Sequence, residues 1–242
     1  MTFRRLQTID EYFDLLGCDK NYPTKNIPCE ICNSEQFTII CEHTDTGNNV
    51  LTPVPVKACN SCGLLMQNPR FTEEFYSRYY DEFYPYMRVR SNSNLLNDPN
   101  KVSGNNIVND DGKPSEFGFN SAIKRAENLY NYINKLNINV PSKKLLDVGC
   151  GCGGFLHYFK KMGYEVTGND PDNKATDFGI AKGLQIEKIQ AERMSYRDKF
   201  GLVIIIGSLE HCFDPNKVLS NCWEMLEENG VIVIEGRYFP VS

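Results

Sequence analysis

The C-terminal half of the chain alternates short apolar runs with amphipathic segments. Five apolar runs predict β-strands, at residues 144–148, 165–168, 185–189, 202–206 and 231–234. Apolar side chains at helical spacing predict helices at residues 154–162, 174–182 and 216–226, and another in front of the first strand, at about 120–136. Strands that are apolar along most of their length and alternate with helices are typical of a parallel sheet covered on both faces. The expected fold class is therefore α/β.

The N-terminal half carries less apolar material. Residues 1–20 predict a short amphipathic helix, and residues 73–81 predict a helix within a stretch rich in Tyr and Phe. This aromatic stretch predicts either a packing surface between two modules or a lid that stacks on a ligand. Residues 91–115 are rich in Asn, Ser, Asp and Gly, which is typical of a linker.

These patterns divide the chain into three parts. The predicted parts are an N-terminal segment at residues 1–88 with a cysteine-rich module at about 27–70, a linker or mobile loop at 89–119, and the α/β domain at 120–242. The cysteine-rich module has too few apolar residues for a core of its own. Modules of this size usually need a metal ion or disulfides to fold.

Charge and hydropathy narrow the classes of partner. The formal net charge is −5 and no long run of Lys or Arg occurs, which disfavours a nucleic-acid-binding surface. No segment has the roughly 18 consecutive apolar residues of a membrane span, and the N-terminus lacks the apolar stretch of a signal peptide. We therefore expect a cytoplasmic protein without a membrane partner. In a reducing compartment its ten cysteines indicate metal or redox chemistry rather than disulfides.

Four of the cysteines form two Cys-x-x-Cys pairs. They are Cys29, Cys32, Cys59 and Cys62. Each pair offers two thiolates from one tight turn, and two such pairs complete a tetrahedral site that suits Zn²⁺. We predict a small zinc ribbon, in which the metal is structural because four protein ligands leave no open position. The alternatives are a redox pair, ordinary buried thiols, or a site that uses Cys41 or His43 instead.

A glycine-rich turn follows the first predicted strand of the α/β domain. Gly149, Gly151 and Gly154 fit the dinucleotide pattern G-x-G-x-x-G, whose helix N-terminus binds pyrophosphate. Asp147, at the end of the strand, would repel a pyrophosphate but suits S-adenosylmethionine (SAM), which has an ammonium group and no phosphate. A tight turn without any ligand is the remaining alternative.

An acidic residue also follows the second predicted strand. Asp170 lies about 20 residues beyond the glycine turn, where an acid commonly accepts hydrogen bonds from ribose hydroxyls. The alternative is a role in capping the next helix or in its turn, because Pro171 and Asp172 come directly after it.

Together these motifs resemble those of the class I SAM-dependent methyltransferases, over roughly residues 143–236. The resemblance rests on Asp147-x-Gly149-x-Gly151-x-Gly153, on Asp170, on Leu209-Glu210-His211 after the fourth strand, and on the turn at 226–230. It implies a Rossmann-like domain that binds SAM and transfers its methyl group. The family's sheet continues beyond the fifth strand, so the chain is expected to be either abbreviated or a fragment, with the fifth strand as an exposed edge.

The resemblance also implies which residues contact the cofactor. In the first turn they are Gly149, Cys150, Gly151 and Gly153, together with Asp147 before it. Gln190, Ala191 and Glu192 follow the third strand and should lie near the adenine. Gln190 stands where the family often has an acid, so its amide would have to serve instead.

Transfer of a methyl group to a hydroxyl or a C–H group also requires removal of a proton. A base should stand at the carboxyl ends of the fourth or fifth strands, where Glu210, His211, Glu235, Arg237 and Tyr238 are found. His211 is the preferred candidate because its ordinary pKa is near neutrality, with Glu210 as an orienting or donor-contacting group. The alternative is a structural histidine.

The cysteine module suggests a class of acceptor. The sequence from Cys62 to Arg70, followed by an aromatic helix, resembles the zinc-binding region that precedes some sugar and glycan methyltransferases, including sugar C-methyltransferases. The expected function is therefore methyl transfer to a sugar, a nucleotide-sugar or a related small metabolite. The competing hypotheses are a catalytically silent SAM-binding scaffold and an NAD-dependent oxidoreductase.

Overall fold

A computed structural model describes residues 24–42, 44–45, 51–52, 54–78 and 113–236. The chain forms two compact units, Met1–Asn94 and Leu95–Ser242. The helix predicted at residues 1–20, the aromatic residues beyond Arg78 and most of the predicted linker lie outside the described residues. No helix in the described part of the chain combines the length and the apolar character that crossing a membrane requires.

The N-terminal unit consists of short strands and one helix. They are β1 (Thr24–Lys25), β2 (Phe37–Cys41), β3 (Thr44–Asp45), β4 (Leu51–Thr52), β5 (Val56–Cys59), β6 (Leu65–Gln67), β7 (Arg70–Phe71) and helix α1 (Glu73–Arg78). Strands β2, β5 and β6 form an antiparallel sheet in the order β2-β5-β6, while β1 pairs with β7 and β3 with β4. The first cysteine pair lies in the connection between β1 and β2, and the second lies at the turn between β5 and β6.

Polar side chains reinforce the small core of this unit. Asn68 is 3% exposed, and its amide both accepts from the Ile27 N–H and donates to the Ile27 carbonyl, at 3.2 and 2.9 Å. Arg70 donates two hydrogen bonds to the Glu30 carboxylate, at 2.8 and 2.6 Å. Because Glu30 lies between the first two cysteines, this ion pair connects the first cysteine turn to strand β7.

The C-terminal unit is a five-stranded parallel sheet with helices. Its elements are α2 (Glu116–Lys135), β8 (Lys144–Val148), α3 (Gly154–Lys161), β9 (Glu165–Asn169), α4 (Asn173–Ala181), β10 (Ile186–Glu187), β11 (Phe200–Ile206), α5 (Pro215–Met225) and β12 (Leu226–Glu235). The strand order is β10-β9-β8-β11-β12, and every pair is parallel. The predicted α/β fold with a Rossmann-like parallel sheet is therefore confirmed.

Both faces of this sheet are buried. On one face, Leu145, Leu202 and Ile204 pack against α2 and α3. On the other face, their neighbours Leu146 and Val203 pack against α5. Side chains alternate between the faces along each strand, so a strand buried on both sides must be apolar at nearly every position.

The boundaries of several elements differ from the predicted ones. Helix α2 begins at Glu116, four residues earlier than expected, because the Ser115 hydroxyl accepts a hydrogen bond from the Gly118 N–H at 2.9 Å and caps it. Strand β12 begins at Leu226, and its register against β11 shifts before Val231. The predicted turn at 226–230 is therefore an irregular part of the strand. Strand β10 is shorter than predicted.

Candidate functional site

The glycine turn connects β8 to α3 at the carboxyl edge of the sheet. Gly149 and Gly151 have φ angles of +73° and +54°, which residues other than glycine rarely adopt. A methyl group at Gly149 would lie 2.5 Å from Ser208 Cβ, so this position also needs the small residue for space. A methyl group at Gly151 would meet no atom within 4 Å. The turn at Gly151 therefore faces open space that a ligand can enter.

Asp170 holds this turn from the neighbouring strand. Its Oδ2 accepts a hydrogen bond from the Gly151 N–H at 2.8 Å, and its Oδ1 accepts one from the Asp172 N–H at 2.8 Å. The cap of helix α4 is Asp172, not Asp170, so the capping alternative for Asp170 is wrong, although its turn role is real. Both oxygens of the Asp170 carboxylate thus accept backbone N–H groups at the carboxyl edge of the sheet.

Asp147 lies next to the turn, in the middle of the sheet, where its neighbours are Gly168 on β9 and Ile204 on β11. It is 2% exposed, and its Oδ2 has no hydrogen-bond partner among the described residues. Burial raises the pKa of Asp147 to about 8, with a further upward effect from Asp170 and an opposing one from Arg125.

The raised pKa corrects one expectation. The sequence-based interpretation treated the carboxyl of Asp147 as anionic, whereas burial raises its pKa to about 8 and so favours the protonated form in the free protein. An unpartnered buried carboxyl of this kind has a high cost for ionisation, and a cation beside it removes that cost. The site therefore favours a ligand that brings positive charge to Asp147.

Arg125 of helix α2 is a member of the site that the sequence did not reveal. Its guanidinium donates to the Glu235 carboxylate at the end of β12, at 2.9 Å, and lies 5.6 Å from the centre of the Phe155 ring. Both charged side chains are more than half exposed. Arg125 thus places a cation near the carboxyl of Asp147 without pairing with it.

Ser208 is a second residue that sequence reasoning missed. It follows β11, and its hydroxyl donates to the Val148 carbonyl at 2.7 Å while its Cβ fills the space above Gly149. These contacts bind the end of β11 to the end of β8. No local pattern pointed to it, because its partners lie some 60 positions earlier in the chain.

Cys150 directs its functional groups into the protein. Its N–H donates to the Asn169 carbonyl at 2.9 Å, and its sulfur lies so close to Gly168 that a methyl group there would be 2.8 Å away. Burial raises the pKa of the thiol well above its ordinary value, with Asp147 adding to the effect. The Cys150 carbonyl in turn accepts from the Gly153 N–H at 3.0 Å, so this residue holds the shape of the turn.

The segment after β10 is the predicted adenine side of the site. It contains Gln190 and the 3-10 helix Ala191–Arg193. The Glu192 carboxylate accepts hydrogen bonds from the N–H groups of Phe213 and Asp214, at 2.7 and 3.2 Å. Ala191 is buried, whereas Gln190 is partly exposed at the same edge of the sheet.

The predicted catalytic residues lie on the other side of the same edge. Glu210 and His211 belong to the 3-10 helix Leu209–His211, which follows β11, and Glu210 is exposed while His211 is partly buried. The Gly207 N–H donates to the Glu235 carbonyl at 2.7 Å, so the ends of β11 and β12 are joined. Arg237 and Tyr238 lie outside the described residues.

The four predicted metal ligands come together in the N-terminal unit. The sulfur atoms of Cys29 and Cys62 are 3.5 Å apart, as are those of Cys32 and Cys59, and all four lie within 4.8 Å of one another. Four thiolates around Zn²⁺, with Zn–S bonds of about 2.3 Å, require sulfur separations of about 3.8 Å. The cluster therefore has the size and the donor chemistry of a tetrahedral zinc site.

The two cysteine turns have matching backbone bonds. The Cys29 N–H donates to the Ser34 carbonyl at 2.9 Å, and the Cys59 N–H donates to the Leu64 carbonyl at 2.8 Å. The same arrangement in both turns directs both cysteines of each pair to one point. Cys41 is exposed on β2 and does not belong to the cluster. His43 lies outside the described residues.

The C-terminal unit is similar in sequence to known methyltransferases. Residues 146–234 match a family model described as a methyltransferase domain. The ubiquinone biosynthesis O-methyltransferase of Shewanella halifaxensis is 30% identical over 110 residues, which are 42% of this chain and 47% of that protein. The protein of the same name from Histophilus somni is 33% identical over 113 residues, or 42% and 48% of the two chains. The chain thus spans less than half the length of these curated relatives.

A solved structure is similar over a comparable part of the chain. It is SAM-bound CalS10, an amino pentose methyltransferase from Micromonospora echinaspora, with a TM-score of 0.45. The two proteins are 19% identical, and the similarity covers 49% of this chain and 52% of that one.

Proposed function

We propose that this protein is a SAM-dependent methyltransferase. The observation that carries the proposal is the buried carboxyl of Asp147, whose Oδ2 lacks a partner within the described part of the chain. It lies beside a turn that is open at Gly151, and a ligand ammonium group would satisfy it. The match of residues 146–234 to a methyltransferase domain supports the same conclusion.

The other predicted contacts follow from the order of the strand ends. Gly151, whose missing side chain faces open space, would let the ligand approach the turn closely. Gly149 and Gly153, with the backbone of Cys150, would give the turn its shape beside the ligand. Asp170, which follows the second strand of the domain, would accept hydrogen bonds from the ribose hydroxyls. Gln190 and Ala191 would border the adenine, whereas the carboxylate of Glu192, predicted to lie near it, is directed to the N–H groups of Phe213 and Asp214.

When bound, the donor supplies an activated methyl group on a sulfonium sulfur. The residues of this chain orient the acceptor and take up its proton. We assign the role of base to His211, which would receive the proton as the acceptor oxygen forms its bond to the methyl carbon and the carbon–sulfur bond breaks. Glu210, in the same 3-10 helix, would orient His211 or contact the donor.

The acceptor that we propose is a hydroxyl group on a sugar, a nucleotide-sugar or a related small metabolite. The names of the curated relatives, ubiquinone biosynthesis O-methyltransferases, favour transfer to oxygen. The sequence between Cys62 and Arg70 favours a sugar. A hydroxyl requires a base in a way that an amine does not, which agrees with a histidine at this edge of the sheet.

Calorimetric titration with S-adenosylhomocysteine (SAH) and with NAD⁺ tests the donor site. We expect SAH to bind with one site per chain and NAD⁺ to give no heat. Binding of NAD⁺ without SAH would overturn the proposal. Conversion of SAM to SAH, followed in the presence of nucleotide-sugars and of phenols, then identifies the acceptor. Binding of SAH without turnover in any of these mixtures would favour the silent scaffold.

For the N-terminal segment, 1–88, we propose a zinc ribbon joined by residues 89–119 to the methyltransferase domain at 120–242. The four thiols that the folded chain brings within 4.8 Å support the metal site. Zinc would hold the two cysteine turns together in a unit with little apolar core. The ion is structural in this proposal, since all four of its positions are taken by sulfur.

Elemental analysis of the purified protein tests the zinc site. We expect one zinc ion per chain, and its loss in the variant Cys59→Ser. Cys41→Ser is the matched control, because Cys41 is an exposed thiol of the same unit outside the cluster. Full zinc content in the Cys59 variant, or its loss in the control, would contradict the assignment.

A further inference from the structure

Glu192 joins two segments that the proposed function assigns to different tasks. It lies in the 3-10 helix on the adenine side, yet its Oε1 accepts the N–H groups of Phe213 and Asp214, at 2.7 and 3.2 Å. Those two residues belong to the same segment, 208–214, as His211. One carboxylate therefore connects the backbone of the donor side to the backbone of the acceptor side.

A second side chain makes the same connection from the opposite direction. Asn221 of α5 is 6% exposed, and its Nδ2 donates to the carbonyls of Glu192 and Ala191, at 3.0 and 3.4 Å. Asn169, at the end of β9, donates to the Ile189 carbonyl at 3.1 Å. The segment at 189–192 is thus attached to α5 on one side and to the sheet on the other.

The charge of Glu192 suits this position. Its carboxylate accepts from two backbone N–H groups directly before helix α5, where a negative charge is favoured by the helix dipole. Asp214 caps the same helix through its own side chain, which accepts from the Lys217 N–H at 2.9 Å. Charge-assisted bonds of this type are shorter and stronger than neutral ones.

We infer that Glu192 is a positioning residue, which couples occupancy of the donor site to the order of the segment at 208–214. The inference rests on the proposed function, because it requires a ligand beside residues 190–192. When the adenine is bound, the segment at 189–192 is held in place. Glu192 then fixes the backbone that carries Glu210 and His211 toward the acceptor.

Hydrogen exchange with and without SAH tests the coupling. In the wild type we expect SAH to slow exchange in peptides that cover residues 208–214. In Glu192→Ala this slowing should be lost, while the SAH dissociation constant rises by less than about three-fold, since a carboxylate in direct contact with the ligand would give about ten-fold or more. Glu192→Gln retains an acceptor oxygen and should preserve most of the slowing.

The control variant is Glu165→Ala, which removes an exposed carboxylate from the opposite end of the sheet and should change neither measurement. If the alanine variant does not fold, Glu192→Asp keeps the charge but shortens its reach by one methylene, and should show the same loss. Persistence of the slowing in Glu192→Ala or Glu192→Asp, or a loss of SAH affinity by more than about ten-fold in either variant, would overturn the inference. If the wild type binds no SAH at all, the proposed function fails, and the inference with it.

Discussion

Replacement of Asp147 by asparagine should stabilise the free protein and weaken its ligand binding. Asp147 is 2% exposed, and its Oδ2 finds no partner among the described residues. Burial, with Asp170 adding to it, raises the pKa of the carboxyl from 3.8 to about 8. The folded protein therefore binds a proton that the unfolded chain releases at neutral pH. Glu and Asp groups with raised pKa values destabilise the folded state above their ordinary pKa.

The size of this cost follows from the two pKa values. Each pH unit between them costs about 1.4 kcal/mol, so the penalty at pH 7 is at most about 4 kcal/mol. Asparagine needs no proton, but its amide is buried without a full set of partners, so the expected gain is about 1–3 kcal/mol. In a domain of this size that gain raises the unfolding midpoint by about 3–9 °C.

The stability difference between Asp147→Asn and the wild type should depend on pH. Below pH 4 the Asp147 carboxyl is mainly protonated in both the folded and the unfolded wild type. The free energies of unfolding of the variant and the wild type should therefore differ least there. The stability difference should grow as pH rises toward 8 and remain constant above it. Thermal unfolding between pH 4 and pH 9 measures this difference, and Asp198→Asn, at an exposed position, is the control.

Ligand binding should respond in the opposite direction. An ammonium group needs the ionised carboxylate, so the affinity of the wild type for SAH should rise with pH and level off above about 8. In Asp147→Asn that dependence should vanish, and at pH 8 the dissociation constant should be about 10- to 100-fold higher. A variant that is less stable at every pH, or that binds SAH as the wild type does, would refute the reasoning.

Three further results are expected. Chelation of zinc should abolish the unfolding transition of the N-terminal unit, measured by near-UV circular dichroism, while the sheet of the C-terminal unit keeps its far-UV signal. Ser208→Ala should lower the free energy of unfolding by about 1 kcal/mol, because a carbonyl of β8 loses its donor, and urea titration against Ser195→Ala, at an exposed site, measures it. Gly154→Ala should lower the free energy of unfolding by about 1–3 kcal/mol, because the added methyl would lie 2.4 Å from Ala122 Cβ. A methyl at Gly236 meets nothing within 4 Å, so Gly236→Ala is the control and should be neutral in the same titration.

The centres of the strands were predictable, and their ends were not. Residues 202–205 of β11 are completely buried, so the requirement for apolar side chains on both faces is visible in the sequence. The ends depend on pairing with another strand. Strand β12 extends back to Leu226 only because that residue pairs with Phe200 before the register shifts. The start of α2 was readable in principle, since Ser115 has the residue type of a helix cap.

Some residues of the candidate site could likewise be predicted from the sequence, and others could not. Asp147, the glycine turn and Asp170 could be predicted as candidates because the first lies near the end of a strand and the other two follow one, and parallel strands bring those ends to one edge. Arg125 and Ser208 were missed because each acts on a partner far away in the chain. Arg125 bonds to Glu235, 110 positions later, and neither residue carries a local motif. Their roles depend on the fold and not on any short pattern.

The backbone of the glycine turn gives a reason to prefer SAM that does not depend on the charge of Asp147. A dinucleotide site binds pyrophosphate through free backbone N–H groups of this turn. Here the amides of four turn residues donate inside the protein, and they are Gly149, Cys150, Gly151 and Gly153. The first two share the Asn169 carbonyl, and the third bonds to Asp170. A phosphate over this part of the turn would find these four donors already used and the carboxylate of Asp170 beside it. A ligand that presents an ammonium group and ribose hydroxyls needs acceptors instead, and acceptors are what this edge of the sheet offers.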